Sequence, residues 1–179
     1  MNIFYIDPDP LVAAEQMVDK HVVKMILESA QLLSTAHRLI DGIEYVGQSK
    51  SGRKAKRWRL PDGRDTVLYS ATHVNHPSSI WVRESVPHYR WLHGHLVGLA
   101  REYTFRYGKV HKAEETGLID ALGRSPDGLH DRGFSQVVPA MPDEYKVSCA
   151  VESYRNYYRV AKARMHKWTK RPTPRWINE

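Results

Sequence analysis

Cysteine is nearly absent from this chain: Cys149 is the only one in 179 residues. A lone thiol excludes an internal disulfide framework and a cysteine-based zinc site, and it suits a reducing cytosol. Long apolar runs are missing too. No window approaches the roughly 18 consecutive apolar residues of a membrane-spanning helix, so a soluble protein with no membrane partner is expected. The opening MNIFYIDPDP has neither a basic segment nor an apolar stretch of signal length, and a cytoplasmic location follows. Metal motifs of the HExxH, CxxC and paired-aspartate kinds are lacking, as are glycine-rich phosphate loops. His93 and His95 are two apart on a helix and point roughly 200° from each other, so they cannot share an ion. No metal and no cofactor are expected.

Positive charge is what the sequence has in excess. The net charge is +7, and a positive surplus steers association with polyanions. From Tyr145 to Glu179 there are nine Lys or Arg against two acids. Aromatic residues interleave with them in RNYYRVAKARMHKWTKRPTPRW, a mixture that suits phosphate contacts beside base stacking. Arg155, Arg159, Lys162, Lys167, Lys170 and Arg171 are the candidate phosphate contacts, and Trp168 and Trp176 the candidate stacking platforms. A second basic cluster, KSGRKAKRWR, spans Lys50 to Arg59. Either cluster could instead be a solvated face.

Helical periodicity organises the chain. Asp9-Pro10 reads as an N-cap followed by a proline at the first helical position, and the pattern runs, with a break near Asp19, to Ile40, where Asp41-Gly42 stops it. Residues 47–65 read as a long basic loop or a short hairpin, with a turn at Pro61-Asp62-Gly63. After Ser85 and Pro87 a second long helix carries Leu92, Leu96, Leu99 and Tyr103 at three-and-four spacing up to Gly108. Ala113–Leu122 suits a short helix, and proline and glycine between Ser125 and Pro142 indicate an irregular connection. The last helix, capped by Ser148, places Val151, Tyr154, Tyr158, Ala161 and Met165 on one stripe. The expectation is an all-α protein: one compact domain over 1–179, with two long core helices, a C-terminal basic helix, long loops at 47–65 and 112–143, and a basic aromatic tail at 168–179. A monomer is expected.

At about 100° per residue, Val18, Val22, Met25, Ile26, Ser29, Leu32, Leu33, Ala36 and Ile40 share an arc about 120° wide, the core face of the first long helix. His21, Lys24, Glu28, Gln31 and Thr35 form the neighbouring polar arc. Glu28 sits two turns beyond His21, with Lys24 between, at the shoulder of the apolar stripe. A partly desolvated carboxylate there suits proton transfer or stabilisation of a developing cation. The same pattern also describes an exposed helix flank with an i,i+4 ion pair. Asn75-His76-Pro77 is a polar turn whose side chains cap a helix or line a pocket.

The run Asp19-Lys20-His21 followed by Glu28 resembles the catalytic helix of the phage pyrimidine-dimer DNA glycosylases of the endonuclease V type. The stretch from His76-Pro77 through Tyr89, Leu92, Leu96 and Arg101-Glu102-Tyr103 is similar to that family's second helix, and Lys170-Arg171-Pro172-Thr173 to its C-terminal segment. The resemblance implies a bacteriophage DNA-repair enzyme in a bacterial or infected-host cytosol. Such an enzyme is a hydrolase of the N-glycosidic bond of a damaged pyrimidine, flipped from duplex DNA, with an attached lyase activity. It implies an N-terminal α-amine as nucleophile and Glu28 as the carboxylate that stabilises the sugar cation and shuttles protons. His21 would orient Glu28 or touch phosphate, and Lys24, Asn75 and His76 would contact DNA. The family exposes a small threonine where this chain has Asn2, a size that favours retention of Met1. The amine is then that of Met1 or of Lys20 or Lys24, or Glu28 activates water directly. Two other readings stand beside this one: a non-catalytic nucleic-acid-binding protein, and an enzyme of nucleotides or modified bases on the same scaffold.

Overall fold

The computed structural model describes residues 1–48 and 51–179. The chain starts inside the protein, with Ile3, Phe4, Tyr5 and Ile6 all buried. Helix α1 (Pro10–Glu15) follows, capped by the Asp9 carboxylate, which accepts the N–H groups of Leu11 and Val12. The expected break comes before α2 (Asp19–Asp41), whose core face is buried along its length apart from Ile40 at the end. The second long helix, α5 (Val86–Tyr107), packs against both α1 and α2. Gly98 permits that approach, since a Cβ there would lie 2.8 Å from the Ala14 methyl. Gly108 ends α5 in the left-handed conformation at φ 66°, where a side chain would be strained.

The protein is mostly helical, but it is not all-α. Strands β1 (Ile43–Gln48) and β2 (Lys54–Arg59) form an antiparallel hairpin in the register Ile43–Arg59, Tyr45–Arg57 and Gly47–Ala55. Of the two readings of residues 47–65, a loop or a short hairpin, the structure has the hairpin, which begins four residues earlier at Ile43, and a one-turn helix, α3 (Arg64–Val67), follows it. Lys50, in the basic cluster, lies outside the described residues. The buried Arg38 holds the ribbon to α2 by donating to the carbonyls of Trp58, Asp65, Leu68 and Tyr69. One guanidinium thus satisfies four backbone acceptors.

Helix α4 (Pro77–Val82) starts on His76, whose side chain caps it. The predicted helix at 113–122 is two short ones, α6 (Lys112–Glu115) and α7 (Leu118–Ala121), because Gly117 between them is left-handed at φ 72°. The last helix, α8 (Ala150–Ala161), begins one residue beyond Cys149 and is not capped by Ser148, which is exposed. Its first N–H is satisfied by Gln136 Oε1 at 2.9 Å. After Ala161 the chain leaves the α-helical path, so the tail is two short 3₁₀ turns joined by extended segments. Residues 123–142 are irregular yet anchored: Ser135 N–H donates to His88 Nε2 and Arg132 N–H to Ser85 Oγ. Among the described residues no helix is long and apolar enough to cross a membrane.

Three histidines sit in this core as neutral rings. Burial pushes His21 down to about 3, and His37 and His95 to about 4. Their folded values lie below the ordinary one near 6.5, so the unfolded chain binds more protons as the pH falls past that value. Stability should therefore be full above about pH 6.5 and decline steadily between about pH 6 and 4. With all three rings contributing, the slope approaches roughly 4 kcal/mol per pH unit. Urea midpoints from pH 7.5 to 4.5 measure this directly, and a flat profile would mean that the rings are solvated.

Candidate active site

Glu28 leaves α2 with its side chain only 12% exposed. Its two oxygens are engaged separately. Oε1 pairs with the Lys24 ammonium at 3.2 Å, and Oε2 accepts the backbone N–H of Asn2 at 2.9 Å. The second contact follows from how the first residues fold. The Phe4 ring packs on His21 from α2 and on Tyr154, Tyr157 and Tyr158 from α8, which pins the segment between the two helices. Asn2 then turns the backbone: its Oδ1 accepts the N–H groups of Ile3 and Phe4, and its Nδ2 donates to the Ala140 carbonyl. Phe4 sits at φ 54°, a left-handed conformation that costs a bulky residue about 1–2 kcal/mol. Packing of its ring offsets that cost, and the result is an N–H aimed at a carboxylate.

His76 completes the group. Its Nδ1 accepts the Ser78 N–H, so the neutral ring carries its proton on Nε2. Its titration is displaced downward, first by burial, then by the positive charges of the amino terminus and of His73, with the Glu28 carboxylate opposing them. His73 is a second strained residue, at φ 49°, and Asn75 between the two histidines is exposed. Glu28, the start of the chain, Lys24 and the His73–His76 turn thus form one polar locus. Backbone strain on either side of it is of the kind that surrounding structure must enforce.

An open cleft of about 690 Å³ adjoins this locus. Val23, Leu27, Val67 and Leu118 give it apolar walls, and Tyr69, His111, Lys112 and Lys24 give it polar ones. Lys24 belongs to both places, pairing with Glu28 while lining the cleft. The volume is that of a small-molecule site, and two ammonium groups at an apolar cavity suit a flat ligand bearing an anionic group. Among the described residues no cluster of His, Cys, Asp or Glu could hold a metal ion.

The chain matches no family model, no curated protein and no solved structure. Its chemistry must therefore be read from its own geometry.

That geometry separates the expected site residues. Glu28, Lys24, His76 and the start of the chain come together, but His21 does not join them. It is buried, stacked on Phe4 with ring centroids 4.2 Å apart and hydrogen-bonded to Tyr158, and it is held neutral. A ring so enclosed can neither touch phosphate nor exchange protons with a substrate. It acts as the floor on which the first residues lie.

The basic tail is corrected further. Arg155 donates to the Ile6 carbonyl and pairs with Asp7 and Glu152. Arg159 donates to the Trp176 carbonyl and to Asn156 Oδ1, Lys170 to the Phe105 carbonyl, and Arg171 pairs with Glu102 and Glu15. Lys162 lies over the Tyr157 ring. Trp176 is buried and Trp168 partly so, and each donates its indole N–H to Gln16. Cations that looked free as a run are the clasp that holds the tail on the domain. Lys167 alone of the expected tail contacts is exposed without a side-chain partner among the described residues. Trp176→Ala should accordingly cost about 3–5 kcal/mol of stability in urea unfolding. Loss of nucleic-acid affinity at unchanged stability would overturn that assignment.

Asn2, Tyr69, His111 and Lys112 were missed by sequence reasoning. A signal for Asn2 was present: an Ile-Phe-Tyr-Ile run directly after it implies that the start of the chain is held in the core. The cleft residues left no local signal, since they come from α2, α3, α6, α7 and the segments that flank them.

Proposed function

We propose that this protein is a DNA base-excision enzyme that cleaves the N-glycosidic bond of a damaged or modified pyrimidine in duplex DNA, with Glu28 as the essential carboxylate. The observation that carries the reading is the 2.9 Å contact between Asn2 N and Glu28 Oε2. It brings the start of the chain against a largely buried carboxylate beside a cleft sized for an extruded nucleotide.

Breaking the C1′–N bond sends its electron pair to the base and leaves positive charge on the sugar. A carboxylate in a site of low polarity stabilises that charge. Extrusion of the nucleotide is needed first, because a stacked base shields the bond. Lys24 and Lys112 supply cations for the flanking phosphates, and Val23, Leu27 and Tyr69 supply surface for the base. The nucleophile at C1′ is an amine at the start of the chain or a water molecule. If Met1 is removed, the amine of Asn2 takes the place of the N–H that now donates to Glu28, and the carboxylate is positioned to receive its proton. The amine displaces the base, which leaves with the C1′–N electron pair; the C1′–O4′ bond of the resulting aminal then breaks, O4′ takes a proton, and an imine to C1′ is left from which the lyase step follows.

Two measurements test this reading. Intact mass determines whether Met1 is present. Incubation with UV-irradiated, modified-base and abasic duplexes in the presence of borohydride determines the nucleophile: a trapped protein–DNA adduct supports the amine, and base release without an adduct supports water. Absence of both across such substrates would leave a protein that binds nucleic acid without acting on it.

A further inference from the structure

The β1–β2 ribbon presents cations that the fold leaves without an ion-paired carboxylate among the described residues. Its second strand carries Lys54, Lys56, Arg57 and Arg59, and Glu44 is the only acid on the first. Glu44 pairs with Lys56. Lys54, Arg57 and Arg59 have no carboxylate within ion-pair distance among the described residues, unlike Arg155 and Arg171 of the tail. Ile43 and Val46 are 70% and 69% exposed, an unfavourable placement of branched aliphatic side chains on a surface that meets only water.

The register assigns these side chains to faces. Tyr45 pairs with Arg57, and Ile43 with Arg59, so Ile43, Tyr45, Arg57 and Arg59 share one face. The Arg59 guanidinium lies over the Tyr45 ring at 5.3 Å, and Arg57 donates to the Gln48 carbonyl. Tyr45 and Arg57 also border a notch that Arg38, Trp58, Asp65, Ser70 and Ala71 complete, and the Asp65 carboxylate there is engaged by Arg38.

Resting on the reading of the protein as an enzyme of duplex DNA, we infer that this ribbon lies in the major groove of the DNA on one side of the excised base. Size decides which groove. A two-stranded ribbon with its side chains is about 10 Å across, which the major groove of B-form DNA, about 12 Å wide, admits undistorted, whereas the minor groove, about 6 Å wide, would first have to be widened. The deep, narrow major groove of A-form RNA excludes it as well. Charge makes DNA the occupant: Arg57 and Arg59 on one face and Lys54 on the other meet phosphates, while Ile43, on the face of the two arginines, presents apolar surface of the sort that contacts thymine methyl groups. Reach follows from α2. Arg38, which holds the base of the ribbon, is ten residues from Glu28, or about 15 Å of helix, and a strand of six residues adds at most about 20 Å. The ribbon thus covers roughly four to ten base pairs to one side of the lesion, at about 3.4 Å per pair.

The test uses the full chain with Lys54, Arg57 and Arg59 changed together to alanine, and 30-base-pair duplexes carrying a central abasic-site analogue. Fluorescence anisotropy across a salt series should show affinity reduced at least tenfold and the slope of log K against log salt flattened by up to about 2.7, or 0.9 per lost phosphate contact. Hydroxyl-radical footprints should lose protection on one flank only, and duplex RNA of the same sequence should not compete. Wild-type affinity, slope and footprint in a variant whose parent binds DNA would overturn the ribbon alone. A wild type that binds no duplex would overturn both the ribbon and the proposed function. A variant that retains DNA binding but changes from dimer to monomer in sedimentation would reassign the ribbon to self-association.

Discussion

Arg106→Met is expected to lower the free energy of unfolding by about 3–5 kcal/mol, read as a shift of the urea midpoint at unchanged slope. The Arg106 side chain is fully buried, and every one of its nitrogens donates. Nε donates to Glu102, Nη1 to the Met17 carbonyl and to Asp19, and Nη2 to the Glu15 carbonyl. Glu102 is shared with Arg171 of the tail, and Asp19 also accepts the N–H and hydroxyl of Thr169. Asp19 caught in this way stays ionised: burial pushes its carboxyl up, but Thr169 and Arg106 outweigh that and hold it below the usual carboxylate value. Methionine fills much of the volume but leaves two carboxylates with one cation and two carbonyls without donors. The cost of keeping those unpaired groups out of water exceeds what the added apolar packing gains. A depressed carboxyl stabilises the fold above its unfolded value and loses that contribution as the pH falls through its folded one. The deficit of the variant should therefore be greatest near neutrality and narrow below about pH 4. A loss under about 1 kcal/mol would show that water replaces the guanidinium.

Glu28→Gln is expected to reduce base release by about 10²–10⁴, with the duplex dissociation constant and the urea midpoint essentially unchanged. Glutamine keeps the shape and an acceptor oxygen for the Asn2 N–H, so the start of the chain stays in place. What disappears is the negative charge opposite the sugar and the capacity to take a proton. Asn2→Ala is the complementary change: it removes the side chain that bonds Ile3, Phe4 and Ala140 and so frees the first residues from Glu28. Its effect should fall on the rate at saturating DNA, leaving affinity alone. Wild-type base release in Glu28→Gln would remove this carboxylate from the chemistry and return the locus to an ordinary helix flank.

The ion-pair network also explains how local and distant information differ in this chain. Asp19, Glu102 and Arg171 lie in three separate stretches of the sequence, and the fold joins them through Arg106 in a buried structural knot. Their presence in the sequence was visible; their role was not, because an arginine in a basic run looks the same whether it faces phosphate or a buried glutamate. Trp168 and Trp176 follow the same logic. An aromatic residue beside lysines suits base stacking, but here both indoles close on Gln16 and the tail becomes part of the core. The hairpin was half legible. Its glycines and lysines read equally as a loop or a short hairpin, and the pairing of its two strands, with Arg38 holding their base, decides for the ribbon.

By itself the sequence determined the properties that depend on neighbours within about one or two helical turns. These are the two long helices, their core faces, the break before Asp19, the stop at Gly108 and the Lys24–Glu28 pair, all set by periodicity and local backbone preferences. Tertiary structure alone decided which polar groups meet. It brought Asn2 to Glu28 across 26 positions, withdrew His21 from solvent, gave Arg155, Arg159, Lys170 and Arg171 of the tail partners within the domain, and assembled a cleft from four separate helices. Such choices turn on burial and on the pairing of charges that lie far apart along the chain, and no short window of sequence records where its partner will be.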